Sequence, residues 1–476
     1  MRRADVLLAT LTTDEVRVST SVYDTSRLVS LLPRFAGHQG RVDFLLREQA
    51  PDGSWGEADG YGYVPTLSAT ESLLAAGHPE AAGRGLAWLR SWLAGGVPLP
   101  DTIAVELVVP ALTAQVNARL PRAGQLDLPR GFDEKPLLKL RDRVDQGHRV
   151  PVKLWASLEV LGTAARQSGA EPAGGAVACS PAATAAWLGA DGDPDGPSAR
   201  YLRAIQEPAG GPVPGVTPIT YFEQAWVLNS LALTSDRYLV PEEVLDSLDA
   251  ALGEYGAPAA PGLPCDADDT AAVLHALTSH GRVRRPDSLL DYRTDDYFTC
   301  FPDERNPSIS TNAHVLEALG VYLAARPGEE PRFGGPRSMV VDWLLATQES
   351  DGSWLDKWHA SPYYATACCA LALATYGGPG ARPAVASAAR WIAATQRPEG
   401  SWGRWTGTVE ETAYATQVLL RGGDPAHAAA IARGRAFLVG HDDPADYPAL
   451  WHAKDLYAPV TVISAARLTA LSMTGA

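Results

Sequence analysis

Gln348-Glu-Ser-Asp-Gly-Ser-Trp354 returns twice more in this chain of 476 residues, each time with the Trp six residues after the Gln. The other full copies are Gln49-Ala-Pro-Asp-Gly-Ser-Trp55 and Gln396-Arg-Pro-Glu-Gly-Ser-Trp402. A degraded copy, Gln206-Glu-Pro-Ala-Gly-Gly, lies between the first and second full copies. Repetition at a fixed spacing indicates a recurring structural unit.

Helical sequence flanks each copy. Val341-Asp-Trp-Leu-Leu-Ala-Thr precedes the copy at 348, and Tyr364-Ala-Thr-Ala-Cys-Cys-Ala-Leu follows it, both with apolar residues at helical spacing. The Asp-Gly or Glu-Gly inside the copy supplies a turn with a left-handed position, which suits a connection between helices. We expect the Trp to cover the end of one helix and the Gln to bond backbone groups of the next.

The repeating unit is therefore a predicted helix hairpin of roughly 45–50 residues, a period typical of stacked helical repeats. Patterns typical of β-strands are nearly absent, so the sequence predicts an all-α fold. Gly- and Pro-rich breaks fall at 171–175, 191–197, 207–218 and 257–264. The break at 207–218 divides the repeats into two sets and is the best candidate for a domain boundary.

The charge balance limits the partners of the chain. Forty Lys and Arg residues against 55 Asp and Glu residues leave a net charge of −15. Nucleic acid and anionic lipid are disfavoured as partners because both need a basic face, whereas one local basic pocket can still hold a diphosphate. No apolar stretch approaches the length of a transmembrane helix, and Asp5, Asp14 and Glu15 interrupt the apolar block that a secretion signal needs.

The five cysteines are odd in number and lack a CxxC spacing, which predicts reduced thiols and a cytoplasmic protein. The ten histidines include no HExxH motif and no Cys/His cluster, so the sequence gives no support for a zinc site.

Three carboxylates open a predicted helix in the stretch Pro264-Cys-Asp-Ala-Asp-Asp-Thr-Ala-Ala-Val-Leu-His-Ala-Leu277. Acidic residues at a helix start are often simple caps. Two features favour a catalytic function: the helix is apolar, which places the acids against a core or cavity, and clustered carboxylates can keep one another protonated near neutral pH. A protonated Asp in an apolar cavity is a proton donor.

Several motifs resemble those of one enzyme family. Asp266-Ala-Asp-Asp269 resembles the DxDD motif of class II terpene cyclases, which protonate an alkene to start a carbocation cascade. The Gln…Gly-Ser-Trp repeats resemble the QW motifs of the same superfamily, and Ser19-Thr-Ser-Val-Tyr-Asp-Thr25 resembles the SxSxYDT segment of diterpene cyclases of the copalyl diphosphate synthase type. Further similar segments lie at 180–185, 218–226, 306–316, 356–364 and 451–459. The chain is identified as a member of this family.

The resemblance implies two α-helical double-barrel (α/α toroid) domains, β and γ, with the active site between them. The β domain is expected to contain residues 1–30 and 208–476, including the acid motif. The γ domain is expected to be the insertion at 31–207. The chain is too short for the third domain of the plant relatives.

The resemblance also implies a reaction. The enzyme would protonate the terminal alkene of a linear prenyl diphosphate and cyclise it to a bicyclic labdane-, halimadane- or clerodane-type product that keeps its diphosphate. Geranylgeranyl diphosphate is the first choice of substrate, and the alternative is farnesyl diphosphate cyclised to drimenyl diphosphate. By position, Asp268 would donate the proton, and Asp266 and Asp269 would orient it and tune its acidity.

Aromatic side chains in the similar segments could line the cavity and stabilise the cation by cation–π attraction, worth on the order of 1–2 kcal/mol each. The candidates are Tyr221, Phe222, Trp226, Trp358, Tyr363, Tyr364, Trp451 and Tyr457. Each alone is better explained as a core residue, and we expect three or four of the eight to line the cavity.

The resemblance implies further ligands. Lys357, Lys454 and Arg305 are candidates for binding the diphosphate, with a solvated or helix-end cation as the alternative. Relatives commonly require Mg2+, for which Glu57 and Asp59 are the candidate ligands. Asn312 and His314 are candidates for the base that ends the reaction, although a hydrogen-bonded core histidine is the alternative for His314. Expected partners are a downstream class I synthase or phosphatase and a second copy in a homodimer.

Asp442-Asp-Pro-Ala-Asp446 spells the DDxxD motif of class I synthases, which ionise the diphosphate. Pro444 interrupts the helix on which such acids must share a face, and the companion Asn/Ser/Glu motif is absent, so an acidic loop is predicted and diphosphate loss is not. Two other classes stay open: a carboxylate-pair glycoside hydrolase and a binding module without catalysis. A protein prenyltransferase subunit would need zinc ligands.

Overall fold

The computed structural model describes residues 3–13, 15–234, 238–302, 304, 306–441 and 447–474. The described residues form nineteen α-helices and one short β-hairpin. The helices before residue 207 are α1 Arg3–Thr10, α2 Val22–Leu31, α3 His38–Arg47, α4 Tyr63–Ala75, α5 Pro79–Gly95, α6 Val105–Ala118, α7 Lys135–Asp145, α8 Pro181–Leu188 and α9 Pro197–Gln206. A series of short 3-10 turns, Val152–Ser168, lies between α7 and α8 and is interrupted by non-helical backbone at Ser157 and Gly162.

The described part of the second half of the chain contains ten α-helices and the hairpin. Its helices are α10 Thr220–Leu231, α11 Glu242–Ala251, α12 Ala267–Ser279, α13 Ile309–Ala325, α14 Glu330–Ala346, α15 Pro362–Tyr376, α16 Arg382–Ala394, α17 Val409–Gly422, α18 Ala428–Gly440 and α19 Val460–Met473. The hairpin pairs β1 Trp451–His452 with β2 Leu456–Tyr457 in antiparallel register.

Six helices of the C-terminal half close a ring. In ring order they are α10, α12, α13, α15, α17 and α19, and α19 packs back on α10. Helices α11, α14, α16 and α18 pack outside this ring, and α1 packs on α19. The inner helices are covered on all sides and therefore carry apolar or small residues around their whole circumference, whereas outer helices such as α16 bury one stripe. This is the expected α/α toroid.

The inserted half forms a second, smaller ring. Helices α2, α4 and α6, the stretch Val152–Ser168 and α8 pack in succession, and α8 closes the ring on α2. Buried residues of α2, such as Tyr23, Leu28 and Val29, belong to the hydrophobic clusters of this half. The division into 1–30 with 208–476 and 31–207 stays a prediction, and the packing of α2 favours a first boundary before that helix.

The three repeats are clamps between helices, as the sequence predicted. Trp354 is fully buried and donates its indole N–H to the Leu344 carbonyl near the end of α14, at 2.9 Å. The Gln348 side-chain amide donates to the Ala384 carbonyl in α16 at 3.0 Å. The other two copies make the same bonds, from Trp55 to Leu45 and from Trp402 to Ile392.

The glycine of each repeat has the predicted positive φ. Gly53, Gly352 and Gly400 have φ values of +94°, +100° and +94°. A Cβ at Gly352 would lie 2.7 Å from the Ser387 carbonyl oxygen, so the approach of the next helix also excludes a side chain.

Within the described residues, no helix combines the length and the apolar character needed to cross a membrane.

Candidate active site

A cavity of about 450 Å³ lies between the two halves. The inserted half contributes the segment 101–106 and part of the stretch Val152–Ser168. The C-terminal half contributes α10, the start of α12, the loops around 300–304 and 357–358, and the β-hairpin. The cavity therefore uses both rings, and neither ring alone encloses it.

The three predicted acids lie together in the wall of this cavity, at the start of α12. Asp266 is the N-cap residue, and its carboxylate accepts the backbone N–H of Asp269 at 2.8 Å. Burial raises the pKa of Asp266, and burial together with the neighbouring charge of Asp266 raises the pKa of Asp269 well above its usual range. These two acids therefore hold a proton between them near neutral pH.

Asp268 has a different partner. Its Oδ1 lies 2.7 Å from Nδ1 of His314, which reaches it from the neighbouring helix α13. Burial lowers the pKa of His314, but the charge and hydrogen bond of Asp268 outweigh this effect, so the pKa lies well above the usual value. Trp226 packs edge-on against the imidazole ring at 5.1 Å. With a side-chain exposure of 14%, Asp268 can offer its second oxygen to the cavity.

A second cavity of about 80 Å³ lies beside His314. Its lining includes Glu317 and Cys368, while Trp226 lines both cavities. The imidazole of His314 thus reaches the acid in one cavity and borders a separate small space. Burial raises the pKa of Glu317 to about 7, so this side chain can carry a proton near neutral pH.

Five of the eight predicted aromatic residues line the main cavity. They are Phe222, Trp226, Trp358, Trp451 and Tyr457. Tyr364 lies behind this wall, where its hydroxyl accepts the indole N–H of Trp226 at 3.0 Å. The structure places Tyr221 and Tyr363 outside the lining: Tyr221 belongs to the rim of the hydrophobic core, and Tyr363 packs on Trp391 at 4.8 Å. The helical phase of α10 and α15 turns these two rings away.

The chain was compared with known proteins. The family model described as squalene-hopene cyclase C-terminal domain matches residues 303–451. The ent-copalyl diphosphate synthase of Streptomyces sp. (strain KO-3988) is 48% identical over 96% of this chain and 92% of its own length. The labda-7,13-dienyl diphosphate synthase of Streptomyces clavuligerus is 39% identical over 96% of this chain and 89% of its own.

A solved structure agrees with these relatives. The structure of ent-copalyl diphosphate synthase from Streptomyces platensis is 52% identical, covers 99% of both chains and superposes with a TM-score of 0.94. This chain belongs to the bacterial class II diterpene cyclases. The cyclase is therefore an enzyme of the family that its acid motif and repeats indicated, and its fold is the expected one.

Of the cations predicted to bind diphosphate, Lys357 lies in the cavity wall. Its ammonium forms an ion pair with Glu304, donates to the Asn306 carbonyl at 2.7 Å and lies 5.1 Å from the Trp358 ring centroid. Arg305 lies outside the described residues. Lys153, which the sequence analysis did not single out, also lines the cavity and is exposed.

Lys454 has a structural position instead of the predicted substrate contact. It sits in the turn of the β-hairpin, 3% exposed, and its ammonium donates to Glu159 at 2.9 Å and to Ser180 at 2.7 Å. Asp24 lies 3.5 Å away. Because these groups from the inserted half surround the ammonium, it is not available to a diphosphate.

The predicted magnesium ligands do not fit a metal site. Asp59 accepts hydrogen bonds from the Arg404 guanidinium at 3.0 Å and from the Trp405 indole at 2.9 Å, so its carboxylate already binds donors. Neither Glu57 nor Asp59 is in the cavity wall. Within the described ranges, no group of three or more His, Cys, Asp or Glu side chains could hold a metal ion by itself.

Both candidates for the terminal base have other functions. His314 is bound to the acid Asp268. Asn312 donates its side-chain amide to the carbonyls of Phe298 and Ser308, at 2.9 and 2.8 Å, and accepts the Phe298 N–H. The acidic segment 442–446 lies outside the described residues.

Four charged side chains and one histidine of the cavity wall were not predicted from the sequence. They are Asp101, Glu106, Lys153, Glu304 and His452. His452 lies inside a family-like segment, 451–459, which was a usable signal. The first three come from the inserted half, where no motif marked the segments 101–106 and 152–156.

Proposed function

We propose that the cyclase protonates the terminal alkene of geranylgeranyl diphosphate and closes it to a labdane-type bicyclic diphosphate of the ent-copalyl kind. The observation that carries this proposal is the pairing of Asp268 with His314 in the wall of an aromatic cavity. Relatives at 48% and 52% identity that are named ent-copalyl diphosphate synthase support this choice of substrate and product.

The charges next to Asp268 explain how this residue can act as the acid. Asp268 gives its proton to the CH carbon of the terminal alkene, the alkene electrons form the new C–H bond, and the dimethyl-substituted carbon becomes the cation. The carboxylate that remains is stabilised by protonated His314, while Asp266 and Asp269 oppose it little because together they hold a proton.

The cation then moves through the forming rings. Faces of Trp226, Trp358 and Trp451 can stabilise it, and the apolar wall keeps water away. Proton loss ends the cascade, and the neutral base in the wall is His452. Burial lowers its pKa to about 4. Its Nδ1 donates to the Lys357 carbonyl at 2.6 Å, so the Nε2 lone pair accepts the Tyr61 hydroxyl at 2.9 Å, and the tyrosine oxygen takes up the proton of the cation as its own proton moves to Nε2.

Asp268 must regain a proton after each turnover, and the substrate cavity must stay dry. The second cavity allows reprotonation from outside the substrate cavity, because His314 borders it and is also hydrogen-bonded to Asp268. A proton that reaches His314 from this side, by way of Glu317, can pass to Asp268 without water entering the space of the cation.

The diphosphate would lie against Lys153 and Lys357 in the cavity wall. Mg2+ is commonly held by one or two carboxylates together with substrate phosphates, so a cage of protein ligands is not required. Asp101 and Glu106 in the same wall fit this pattern, unlike Glu57 and Asp59. When bound, the ion would neutralise charge on the diphosphate and thereby hold it away from the acid.

A product that keeps its diphosphate needs a further enzyme, and we propose a class I synthase or a phosphatase. A cytoplasmic location is also part of the proposal, supported by five free cysteines. A homodimer is proposed as well and would be read by light scattering on the purified protein.

The test is a paired incubation of purified protein with geranylgeranyl and farnesyl diphosphates, with Mg2+ or with EDTA, followed by phosphatase treatment and mass spectrometry. We expect a bicyclic C20 alcohol that appears only after phosphatase treatment and is reduced by EDTA. A drimenyl alcohol formed from farnesyl diphosphate would show instead that the C15 diphosphate is the substrate. A hydrocarbon released without phosphatase, or no product from either substrate, would overturn the proposal.

A further inference from the structure

A buried carboxylate that the reaction does not use lies behind the aromatic wall. Glu410 is in the first turn of α17 and is 3% exposed. Its Oε1 accepts the indole N–H of Trp451 at 2.7 Å, and Nε2 of His359 lies 3.2 Å away. The Tyr414 hydroxyl donates to the same oxygen at 3.4 Å. All three donors thus converge on one oxygen atom.

A backbone hydrogen bond fixes which ring nitrogen of His359 faces Glu410 with a proton. The backbone N–H of Ser361 donates to Nδ1 of His359 at 3.0 Å, so Nδ1 has no proton and Nε2 carries the one that points to Glu410. Among the described residues, the ion pairs of Glu410 include this histidine but neither lysine nor arginine. The carboxylate charge is therefore satisfied by hydrogen bonds and not cancelled by a fixed cation.

Trp451 is held at its backbone and at its ring edge. Its backbone forms an isolated bridge with His359, and the Ala360 N–H donates to the adjacent Leu450 carbonyl at 2.7 Å. The indole N–H lies in the plane of the ring, so the bond to Glu410 fixes the rotation of the indole. Phe222 packs edge-on against the indole ring at 5.3 Å, and Tyr364 packs against it in a tilted arrangement at 4.7 Å. These two contacts also restrict the position of the ring.

The orientation of this ring bears on the cation because Trp451 is in the cavity wall. Cation–π attraction depends on presenting the ring face, so a rotated indole stabilises the cation less. The charge of Glu410 also reaches the cavity: after burial, the charges of Asp269, Glu223 and Glu410 raise the pKa of cavity-lining Tyr457. In a dry cavity such a charge acts with little screening.

We propose that Glu410 is a positioning residue of the cyclase, which orients Trp451 so that its ring stabilises the cyclic cation until the final proton loss. The inference rests on the proposed cyclisation, since it assigns a residue to that same cavity. Without this carboxylate, the cation loses its proton earlier and the products diversify.

The test is a double-mutant cycle of Glu410→Gln, Trp451→Phe and the double variant, assayed with geranylgeranyl diphosphate. We expect each single variant to lower kcat about tenfold with KM within about twofold, and to raise the share of products from early proton loss. Because Glu410 acts through Trp451, the double variant should be no worse than Trp451→Phe alone.

Glu411→Gln is the matched control. Glu411 is the next residue on α17 and is also buried, but it binds Ser361, the Thr408 hydroxyl and the Arg404 backbone N–H, and no cavity residue. We expect a lower Tm for this variant and the wild-type ratio of products. A structural effect of losing any buried carboxylate would instead change both variants alike.

Three results would overturn the inference. They are wild-type kcat and product ratio in folded Glu410→Gln, the same product change in Glu411→Gln, and additive losses in the double variant. Should Glu410→Gln not fold, Trp451→Phe removes the indole N–H together with part of the aromatic face, and a wild-type product ratio there would also overturn the inference. If the wild-type protein makes no cyclic diphosphate at all, the proposed function itself has failed.

Discussion

The molecule contains two acidic clusters that have a similar composition and differ in their surroundings. The acid cluster consists of Asp266, Asp268 and Asp269 with His314. The lysine cluster consists of Asp24, Glu159 and Asp455 with Lys454. Each combines three carboxylates with one basic side chain, and each joins segments that are far apart in the chain.

The clusters differ in packing and in the basic residue. Lys454 is 3% exposed and is surrounded by Glu159, Ser180 and the Ala156 carbonyl, so no space remains beside the carboxylates. The acid cluster borders a cavity, and its base is a histidine, which gains and loses a proton under mild conditions. Catalysis therefore requires an acid oxygen facing empty space and a partner that can titrate, in addition to clustered acids.

The largest expected effect is on catalytic activity, which should depend on the acid cluster and not on the lysine cluster. Asp268→Asn removes the transferable proton, so we expect kcat to fall by about 10³- to 10⁴-fold with a Tm close to that of the wild type. Asp24→Asn, the matched change in the lysine cluster, should retain activity within about threefold and lower the Tm. Steady-state kinetics and thermal unfolding measure both. Equal losses of activity in the two variants would remove the distinction between the clusters.

A second prediction concerns stability, to which the lysine cluster should contribute through its buried cation. Lys454→Met leaves Asp24, Glu159 and Asp455 buried without their cation, and we expect the free energy of unfolding to fall by about 3–5 kcal/mol at pH 8. Lys153→Met, at an exposed lysine of the cavity wall, is the control and should leave stability unchanged. Denaturant unfolding gives both values. A stable Lys454→Met protein would show that the lysine cluster does not join the two halves.

The smallest effect is a pH dependence within the acid cluster. Burial raises the pKa of Asp266 to about 7 in the folded protein from 3.8, so the folded state binds more protons and stability falls as pH rises between these values. Asp266→Asn keeps the N-cap and removes this titration. The difference between the Tm of this variant and the Tm of the wild type should therefore change with pH. We expect it to shift in favour of the variant by about 1–3 °C when the pH rises from 5 to 8.

Asp342→Asn, at an exposed acid of α14, is the control for this measurement. Its Tm relative to wild type should not change with pH. An Asp266→Asn protein whose relative Tm also stays constant would mean that Asp266 is ionised throughout and does not share a proton with Asp269.

Local patterns in the sequence predicted much of the fold. The Gln and Trp of each repeat lie within one helix hairpin, so their spacing revealed both the hairpin and its clamp. The assignment of α2 to a half was harder, because its apolar stripe suits either ring. The structure packs it on α4 and α8.

The site was predictable where a motif marks it and obscure where packing decides. Asp268 was found from its motif, but its partner His314 is 46 residues away and meets it only because α12 packs on α13. Lys357 and Lys454 had the same signature in the sequence, and only burial separates them. Tyr221 and Phe222 are neighbours, and the phase of α10 alone decides which ring faces the cavity.

The most direct test of a proton-initiated reaction is to run the cyclisation of geranylgeranyl diphosphate in D2O and to measure the molecular mass of the dephosphorylated product by mass spectrometry. Because Asp268 exchanges its proton with solvent between turnovers, we predict that the cyclic alcohol carries one added deuterium, at the ring methylene formed from the CH carbon of the terminal alkene. An unlabelled product would contradict the account, since a reaction begun by loss of diphosphate takes no hydrogen from solvent.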